Sequence, residues 1–263
     1  MDTRELSGRP ACPQTLLWPP LVLLISLRKL QIMGSCSHML TCACRRVWDT
    51  HTGETLYTLK HNHIVRAVAF PPNNGQLLAT GGMEKKLRIF DLSAVKTDGS
   101  EPVVIEPEKA FEVGPGVFQG TIKSIIWTQN PNIIVTSSDD KKVRWWDLNT
   151  REVVQELPVT GDIGSCELNF IDGKVSRSDV GGGLPVLSIA AGKTIYFYGG
   201  HDCMTPLKKI ELPYEVASVA IHPGQRKIVT GGIKDTWAKV YNYDTMQELG
   251  KRDYFLKVGI QLC

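Results

Sequence analysis

The chain has 263 residues, 42% of them hydrophobic and 22% charged, so a sizeable folded core is expected and wholesale disorder is not. The formal net charge of +3, from 30 basic and 27 acidic side chains, is too even to indicate a nucleic-acid or membrane partner by charge alone. Seven cysteines, four of them within the first 44 residues, lack regular spacing through the rest of the chain. This argues against a disulfide framework and favours a reducing compartment.

The N-terminal segment differs from the rest of the chain. Residues 1–46 show no strand alternation and no similarity to the later residues. The apolar run from Leu16 to Leu27 is shorter than the roughly 20 residues of a membrane span and contains two prolines. Arg28 and Lys29 stand where a signal peptide would have its small-residue cleavage site. We therefore expect a segment outside the folded repeats, with no membrane partner.

An aromatic residue followed by aspartate recurs in one local setting. Two of the three examples end an alternating strand that follows a Gly/Ser-rich turn, and their aspartates are the repeat ends Asp49, Asp91 and Asp147. A tight turn followed by such a strand is typical of one edge of a β-propeller blade. The aspartates lie 42 and 56 residues apart, and a long polar connection accounts for the larger spacing.

From Val47 onward, alternation and turn signals predict successive strands. An incomplete first blade has its third strand ending at Asp49 and its fourth at residues 56–59. The strands predicted for the next four blades are residues 64–70, 77–80, 87–90 and 109–113; 122–127, 133–136, 143–146 and 152–157; 166–170, 186–190, 194–198 and 207–212; and 216–221, 228–230, 238–241 and 247–249. The last two repeats end near Gly199 and Tyr243, and residues 250–263 form a non-repeat tail. The prediction is an all-β propeller of about four and a half blades.

These phrases resemble the WD-repeat family. The order Trp48-Asp49, Gly53-Glu54 and His61, followed by Gly81-Gly82, is most similar to the serine-threonine kinase receptor-associated proteins, a group also called unr-interacting proteins. The i subunit of translation initiation factor three uses similar phrases. The resemblance covers residues 47–249 and implies a seven-bladed propeller.

Relative to that family, the chain is expected to lack the first two blades, most of the third and the last. The hypothesis is that residues 1–46 and 250–263 come from a misplaced exon boundary or an unspliced intron, so that the N-terminal segment is disordered or wrongly translated.

The resemblance also implies a structural hydrogen-bonded tetrad of His, Ser or Thr, Asp and Trp in each blade. In the first full blade Glu84 replaces Asp and Phe90 replaces Trp, and a Phe ring cannot donate a hydrogen bond. In the second full blade Phe118 stands where His is expected. The tetrad-type positions are His61, Thr80, Glu84, Thr136, Asp140 and Trp146.

Lysines recur in the turns between second and third strands. Equivalent turns of adjacent blades lie on one face of a propeller, so these lysines would form a basic rim able to attract RNA or an acidic protein segment. The favoured interpretation is solvated turn lysines, because no aromatic platform lies between them. The rim residues are Lys85, Lys86, Lys141 and Lys142, with Lys234 in the equivalent later turn.

No pattern of catalytic, metal or cofactor residues is found. His61 and His63 have no zinc-spaced partners, and the cluster Cys36, His38, Cys42 and Cys44 fits no zinc pattern. The paired glycines lack phosphate-loop spacing, and no nucleophile elbow occurs. We therefore expect no enzyme and no cofactor.

The predicted function is a non-catalytic protein-interaction scaffold. The resemblance implies a subunit of the survival-of-motor-neuron complex, which assembles spliceosomal ribonucleoproteins and so serves mRNA processing and splicing. Its partners would be other proteins of that multi-subunit complex, in the cytoplasm or additionally in the nucleus. Two alternatives stay open: a subunit of translation initiation factor three, and a propeller that contacts RNA directly.

Overall fold

The computed structural model describes residues 30–33, 44–72, 74–93, 102–169, 178–234 and 237–253, with backbone only at 30–33 and 251–253. Within these residues the chain forms strands and one short 3-10 helix, Pro107–Lys109. The strands form five four-stranded sheets, which we call blades 1 to 5 in chain order. The predicted all-β propeller fold is confirmed.

Blades 2 to 5 are antiparallel meanders, because each strand pairs with the next strand of the same blade. Each begins with its inner strand and ends at an outer one. In chain order the strands are β4 Val65–Ala69, β5 Leu77–Gly82, β6 Leu87–Asp91 and β8 Phe111–Val113; β9 Ile122–Trp127, β10 Ile133–Ser138, β11 Lys142–Asp147 and β12 Glu152–Pro158; β13 Ile163–Asn169, β14 Val186–Ala191, β15 Thr194–Gly199 and β16 Thr205–Glu211; and β17 Val216–His222, β18 Lys227–Gly232, β19 Trp237–Asn242 and β20 Glu248–Asp253.

Blade 1 is built differently. It contains β1 Leu30–Met33, β2 Cys44–Asp49 and β3 Thr55–Lys60, and its fourth strand is β7 Val103–Ile105. β7 lies in the long connection of blade 2 and pairs in parallel with the outer edge of β3. No strand was predicted from the sequence in this connection. Three residues in parallel pairing with a segment distant in sequence leave no periodic signal.

Two expected boundaries differ from those of the structure. β1 and the first residues of β2 precede Val47, where the repeats were expected to begin. β20 continues to Asp253, beyond the expected limit at residue 249. Both outlying segments are held by main-chain pairing, β1 with β2 and β20 with β19, which side-chain alternation in a short strand does not reveal. Three parts of the chain that the sequence analysis discussed lie outside the described residues: residues 1–29, the cluster at Cys36, His38 and Cys42, and residues 254–263.

The core lies between the blades. First strands of consecutive blades are neighbours: β4 lies beside β9, β9 beside β13, and β13 beside β17. Every residue of β10, β14 and β15 is buried, whereas burial alternates along the outer strand β12. A sheet buried on both faces requires a neighbour on each side. Trp145 and Trp146 are both fully buried because they face opposite neighbours, blade 4 and blade 2.

Gly114 provides a test of this packing. It has a positive φ of 59°, and a Cβ at this position would lie 2.1 Å from the Trp146 ring. Gly116 has a similar φ of 78°, but nothing lies within 4 Å of its Cβ position. We expect Gly116→Ala to cost about 1 kcal/mol of unfolding free energy through backbone strain, and Gly114→Ala about 3 kcal/mol through strain plus displacement of Trp146. Urea unfolding measures both, and equal losses would contradict this account of the blade interface.

Candidate functional site: the polar turn face of blades 2 and 3

The turns between the second and third strands have the same backbone geometry in blades 2 and 3. Lys85 and Lys141 adopt left-handed φ angles of 59° and 61°. Each amide donates a hydrogen bond three residues back, from Lys85 N to Gly82 O at 3.1 Å and from Lys141 N to Ser138 O at 3.2 Å. The two turns therefore present equivalent residues in equivalent positions.

The acidic residue of each turn binds the segment that precedes the first strand. In blade 2 Glu84 Oε1 accepts hydrogen bonds from the amides of Asn62, at 2.5 Å, and His63, at 3.0 Å. In blade 3 Asp140 Oδ2 accepts one from the amide of Gln119 at 3.4 Å. Burial alone would raise the pKa of Glu84, but Arg88 and the two amides outweigh it, so the pKa is lowered.

Each of these carboxylates pairs with a buried arginine four residues later. The Glu84 Oε2 to Arg88 Nη1 distance is 2.5 Å, and the Asp140 Oδ2 to Arg144 Nη2 distance is 2.8 Å. Arg144 has 3% of its side chain exposed and also donates from Nε to Glu156 at 2.9 Å. A buried guanidinium of this kind requires carboxylate partners, because desolvation of an isolated charge is costly.

These arginines and the glutamates of the fourth strands were not predicted from the sequence as members of the site. Arg88 lies opposite Glu112 in the β-sheet register, as Arg144 lies opposite Glu156. An arginine two residues before the third-strand aromatic was the available sequence signal. The positions of these glutamates follow only from the pairing register, and of the two it is Glu156 that forms an ion pair with the arginine opposite it.

The rim lysines are largely paired with carboxylates. The Nζ to carboxylate oxygen distances are 3.1 Å for Lys86 with Glu112, 2.6 Å for Lys142 with Glu156, and 3.8 Å for Lys141 with Asp162. Lys142 and Arg144 lower the pKa of Glu156, which keeps this partner ionised. The turn face therefore alternates in charge.

Only part of the implied tetrad is assembled. In blade 3 Trp146 Nε1 donates to Thr136 Oγ1 at 2.8 Å, and the Phe118 ring lies 5.1 Å from the Trp146 ring. In blade 2 the His61 ring packs edge-on against Phe90 at 5.5 Å, beside the buried Thr80. In each blade a Phe ring therefore packs against a ring that carries an N–H group. In blade 2 the Phe lies on the third strand, and in blade 3 it lies before the first strand.

His61 is held in its neutral form. Burial lowers its pKa to about 4, and the nearby Arg88 and Arg45 guanidinium groups contribute in the same direction against the opposing effect of Glu84. A neutral, buried imidazole packed on Phe90 is suited to a structural role, since at neutral pH it lacks the second ring proton and the charge of the imidazolium form.

Blade 5 contains a related group that was not predicted from the sequence. The hydroxyl of Tyr214 lies 2.6 Å from Thr230 Oγ1 and 3.1 Å from the hydroxyl of Tyr241. Thr230 and Tyr241 occupy the second-strand and third-strand positions of the tetrad, which was the available signal. Tyr214, from the segment before β17, becomes a partner only through the fold.

The repeat-end aspartates stabilise the turns that lead to the fourth strands. Asp49 Oδ1 accepts from the amide of His51 at 2.7 Å, Asp91 Oδ1 from that of Ser93 at 2.9 Å, and Asp147 Oδ1 from that of Asn149 at 2.8 Å. Asn242 does the same for the amide of Asp244 at 2.9 Å. The fifth repeat therefore ends at Asn242, one residue before the expected Tyr243.

Metal sites and membrane spans concern other kinds of function. Among the described side chains, no group of three or more His, Cys, Asp or Glu residues is arranged to hold a metal ion. Within the same part of the chain, no helix is long and apolar enough to cross a membrane.

Comparison with known proteins finds similar repeats and relatives. Residues 53–91 and 115–147 match the family model of the WD domain, G-beta repeat. These two segments of the chain therefore carry the WD-repeat pattern. It is 35% identical over 204 residues to the serine-threonine kinase receptor-associated protein of Gallus gallus and 32% identical to that of Homo sapiens. The Dictyostelium discoideum protein of that name is 30% identical over 205 residues.

These matches confirm the resemblance expected from the sequence. Each alignment covers 78% of this chain. They span 50% of the two vertebrate proteins and 60% of the Dictyostelium protein. The chain thus spans about half the length of the curated relatives it matches.

His61 is expected to make stability depend on pH. Between its folded pKa of about 4 and the ordinary value of 6.5 the unfolded chain binds more protons, so this contribution is complete above pH 6.5 and is lost as pH falls towards 4. We expect His61→Phe, which mirrors Phe118 of blade 3, to remove about 2 kcal/mol from the difference in unfolding free energy between pH near 7.5 and near 4.5.

Urea unfolding at both pH values measures this effect. His63→Gln is the matched control, because His63 is exposed. This variant should show the same pH dependence of unfolding free energy as the wild type. If His61→Phe retained the full pH dependence, the buried neutral state of His61 would be wrong.

Arg144 is expected to matter far more for stability than the adjacent lysine. Arg144→Met leaves Asp140, whose side chain is 8% exposed, without its ion-pair partner and should cost about 3–5 kcal/mol. Lys142→Met removes only a partly exposed ion pair to Glu156 and should cost less than about 1 kcal/mol. Chemical denaturation at neutral pH compares the two, and similar losses would show that the buried pair does not organise the turn face.

Proposed function

We propose that this protein is a non-catalytic scaffold that holds other proteins together. The observation that carries this proposal is the array of WD-repeat blades whose polar turn residues are committed to each other. Arg88 and Arg144 are buried in ion pairs, and His61 is held neutral. A general acid or base needs a pKa near the working pH and access to substrate, and the buried His61, whose pKa is lowered to about 4, has neither.

We further propose that the scaffold works in ribonucleoprotein assembly, in the cytoplasm or additionally in the nucleus. The support is the similarity to the serine-threonine kinase receptor-associated proteins, over 78% of this chain. The partners would be protein subunits of the survival-of-motor-neuron complex, with a role in spliceosomal particle assembly and mRNA splicing. The name of those relatives also indicates receptor kinases, which are relevant only in an organism that has such receptors.

The distribution of charge favours a protein partner over RNA. Lys86, Lys141 and Lys142 each lie within 4 Å of a carboxylate, so the turn face does not present a continuous positive field. Nonspecific RNA binding depends on unneutralised lysines and arginines that release counterions from phosphates. Direct RNA contact is therefore the less favoured function.

Affinity purification of the tagged 263-residue chain from its own cells, followed by mass spectrometry, tests the proposed function. We expect ribonucleoprotein-assembly subunits that remain bound after nuclease treatment and in high salt. Neutralising Lys85, Lys86, Lys141 and Lys142 to Gln should leave this recovery unchanged. Recovery of chaperones alone would contradict the scaffold role. Recovery of subunits of translation initiation factor three would indicate that the protein works in that factor and not in the survival-of-motor-neuron complex. Steeply salt-dependent RNA binding that the four substitutions abolish would favour the RNA-binding alternative.

A further inference from the structure

Blade 1 shows how the outer edge of a blade in this chain accepts an additional strand. β7 aligns Val103 with Tyr57 and Ile105 with Leu59 in parallel pairing. Ile105 is 2% exposed, and immediately after it Glu106 Oε1 lies 2.7 Å from Lys60 Nζ. Main-chain pairing therefore holds an aliphatic segment at this edge, and a surface ion pair at its end contributes to the choice of register.

The outer strand of blade 4 has the same local geometry as β3. The pairing register shifts between Val47 and Trp48 in blade 1, and between Phe197 and Tyr198 in blade 4. Each shift leaves one extra leucine in the outer strand, Leu56 in β3 and Leu207 in β16. The positions of Tyr57, Thr58, Leu59 and Lys60 are therefore taken in blade 4 by Lys208, Lys209, Ile210 and Glu211.

The edge of β16 is open where the edge of β3 is occupied. Within the described residues β16 is the last strand of its sheet. Leu207 is 38% exposed, whereas its counterpart Leu56 is only partly exposed. A groove of about 330 Å³ lies at this bulge, lined by Tyr196, Phe197, Tyr198, Pro206, Leu207, Lys208 and Lys209.

The long side chains of β16 leave this edge accessible. Lys208 Nζ donates to the main-chain oxygens of Tyr243 and Asp244 in blade 5. Lys209 Nζ lies 5.8 Å from the centre of the Tyr196 ring. Both lysines therefore extend over the faces of the sheet, and the main-chain groups of β16 stay available for pairing in the strand plane.

We propose that the edge of β16 binds an extended protein segment in which aliphatic residues are followed by a lysine or arginine. The aliphatic residues pair with positions 208–210 and pack on Leu207, as β7 does on β3. The basic residue meets Glu211, which stands where blade 1 has Lys60. Glu211 is 72% exposed, and its ion pair with Lys209 at 3.3 Å is of a kind that exchanges at little cost.

The charge at Glu211 also disfavours the most available competitor, the β7 segment of a second copy of this chain. In that segment Val103–Ile105 is followed by Glu106, which would face Glu211 with like charge. The proposal deepens the scaffold function, because it rests on a protein partner and names the sequence type that this surface recognises.

Two short peptides test the proposal with the purified 263-residue chain. One has the sequence of residues 102–107, Pro-Val-Val-Ile-Glu-Pro, and the other carries Glu106→Lys. In NMR titrations the lysine peptide should shift the amide resonances of Leu207 to Glu211 and bind about three- to fivefold more tightly than the glutamate peptide. Glu211→Lys in the protein should reverse that preference.

Variants of exposed bulge residues in blades 3 and 4 supply the matched controls. Leu207→Asp should abolish binding, whereas Val154→Asp at the equivalent bulge of blade 3, 53% exposed, should leave it unchanged. Unchanged spectra with both peptides, or a preference that Glu211→Lys does not reverse, would overturn the proposal. Self-association that Leu207→Asp abolishes would overturn it in favour of a second copy. The peptide titrations test only the edge of β16. If neither peptide binds, the scaffold function is still tested separately by the affinity purification.

Discussion

The fold depends on packing the blades against one another, which in blades 3 and 4 buries both faces of the middle strands. Every residue of β10, β14 and β15 is buried, so neither face of these strands is exposed to solvent. This constraint explains why large residues such as Trp145 and Trp146 can be adjacent in sequence and both fully buried. Exposed apolar side chains occur on outer strands, as at Val154 and Leu207, and on the middle strands of blade 5, as at Val229 and Trp237.

Burial of this kind makes an unpaired charge near the blade interfaces costly. Arg88 and Arg144 form ion pairs with carboxylates from the preceding turns, which in turn bind the chain that leads into the blade. The polar residues that recur in each repeat therefore organise the turns and the strand order. The same ion pairs neutralise most of the charged side chains of the turn face. The outer edges of the blades are therefore better suited to binding a protein partner.

The outer edges differ from one another in ways that matter for binding. Blade 1 accepts a strand of its own chain, and blade 4 repeats its bulge while replacing Lys60 with Glu211. A propeller that varies single residues on otherwise equivalent edges can hold different segments at different blades. That property suits a scaffold, because specificity then comes from side chains at the ends of a common main-chain pairing.

The sequence by itself determined the repeat unit, the WD-repeat resemblance and most strands of blades 2 to 5, because turn residues and period-two alternation are local properties. It also identified Thr136 and Trp146, whose hydrogen bond joins adjacent strands of one blade. Only the tertiary structure decided the parallel pairing of β7 with β3, the ion pair of Arg144 with Glu156 and the contact of Tyr214 with Thr230. Each of these depends on register or on residues distant in sequence, and neither composition nor periodicity carries that information.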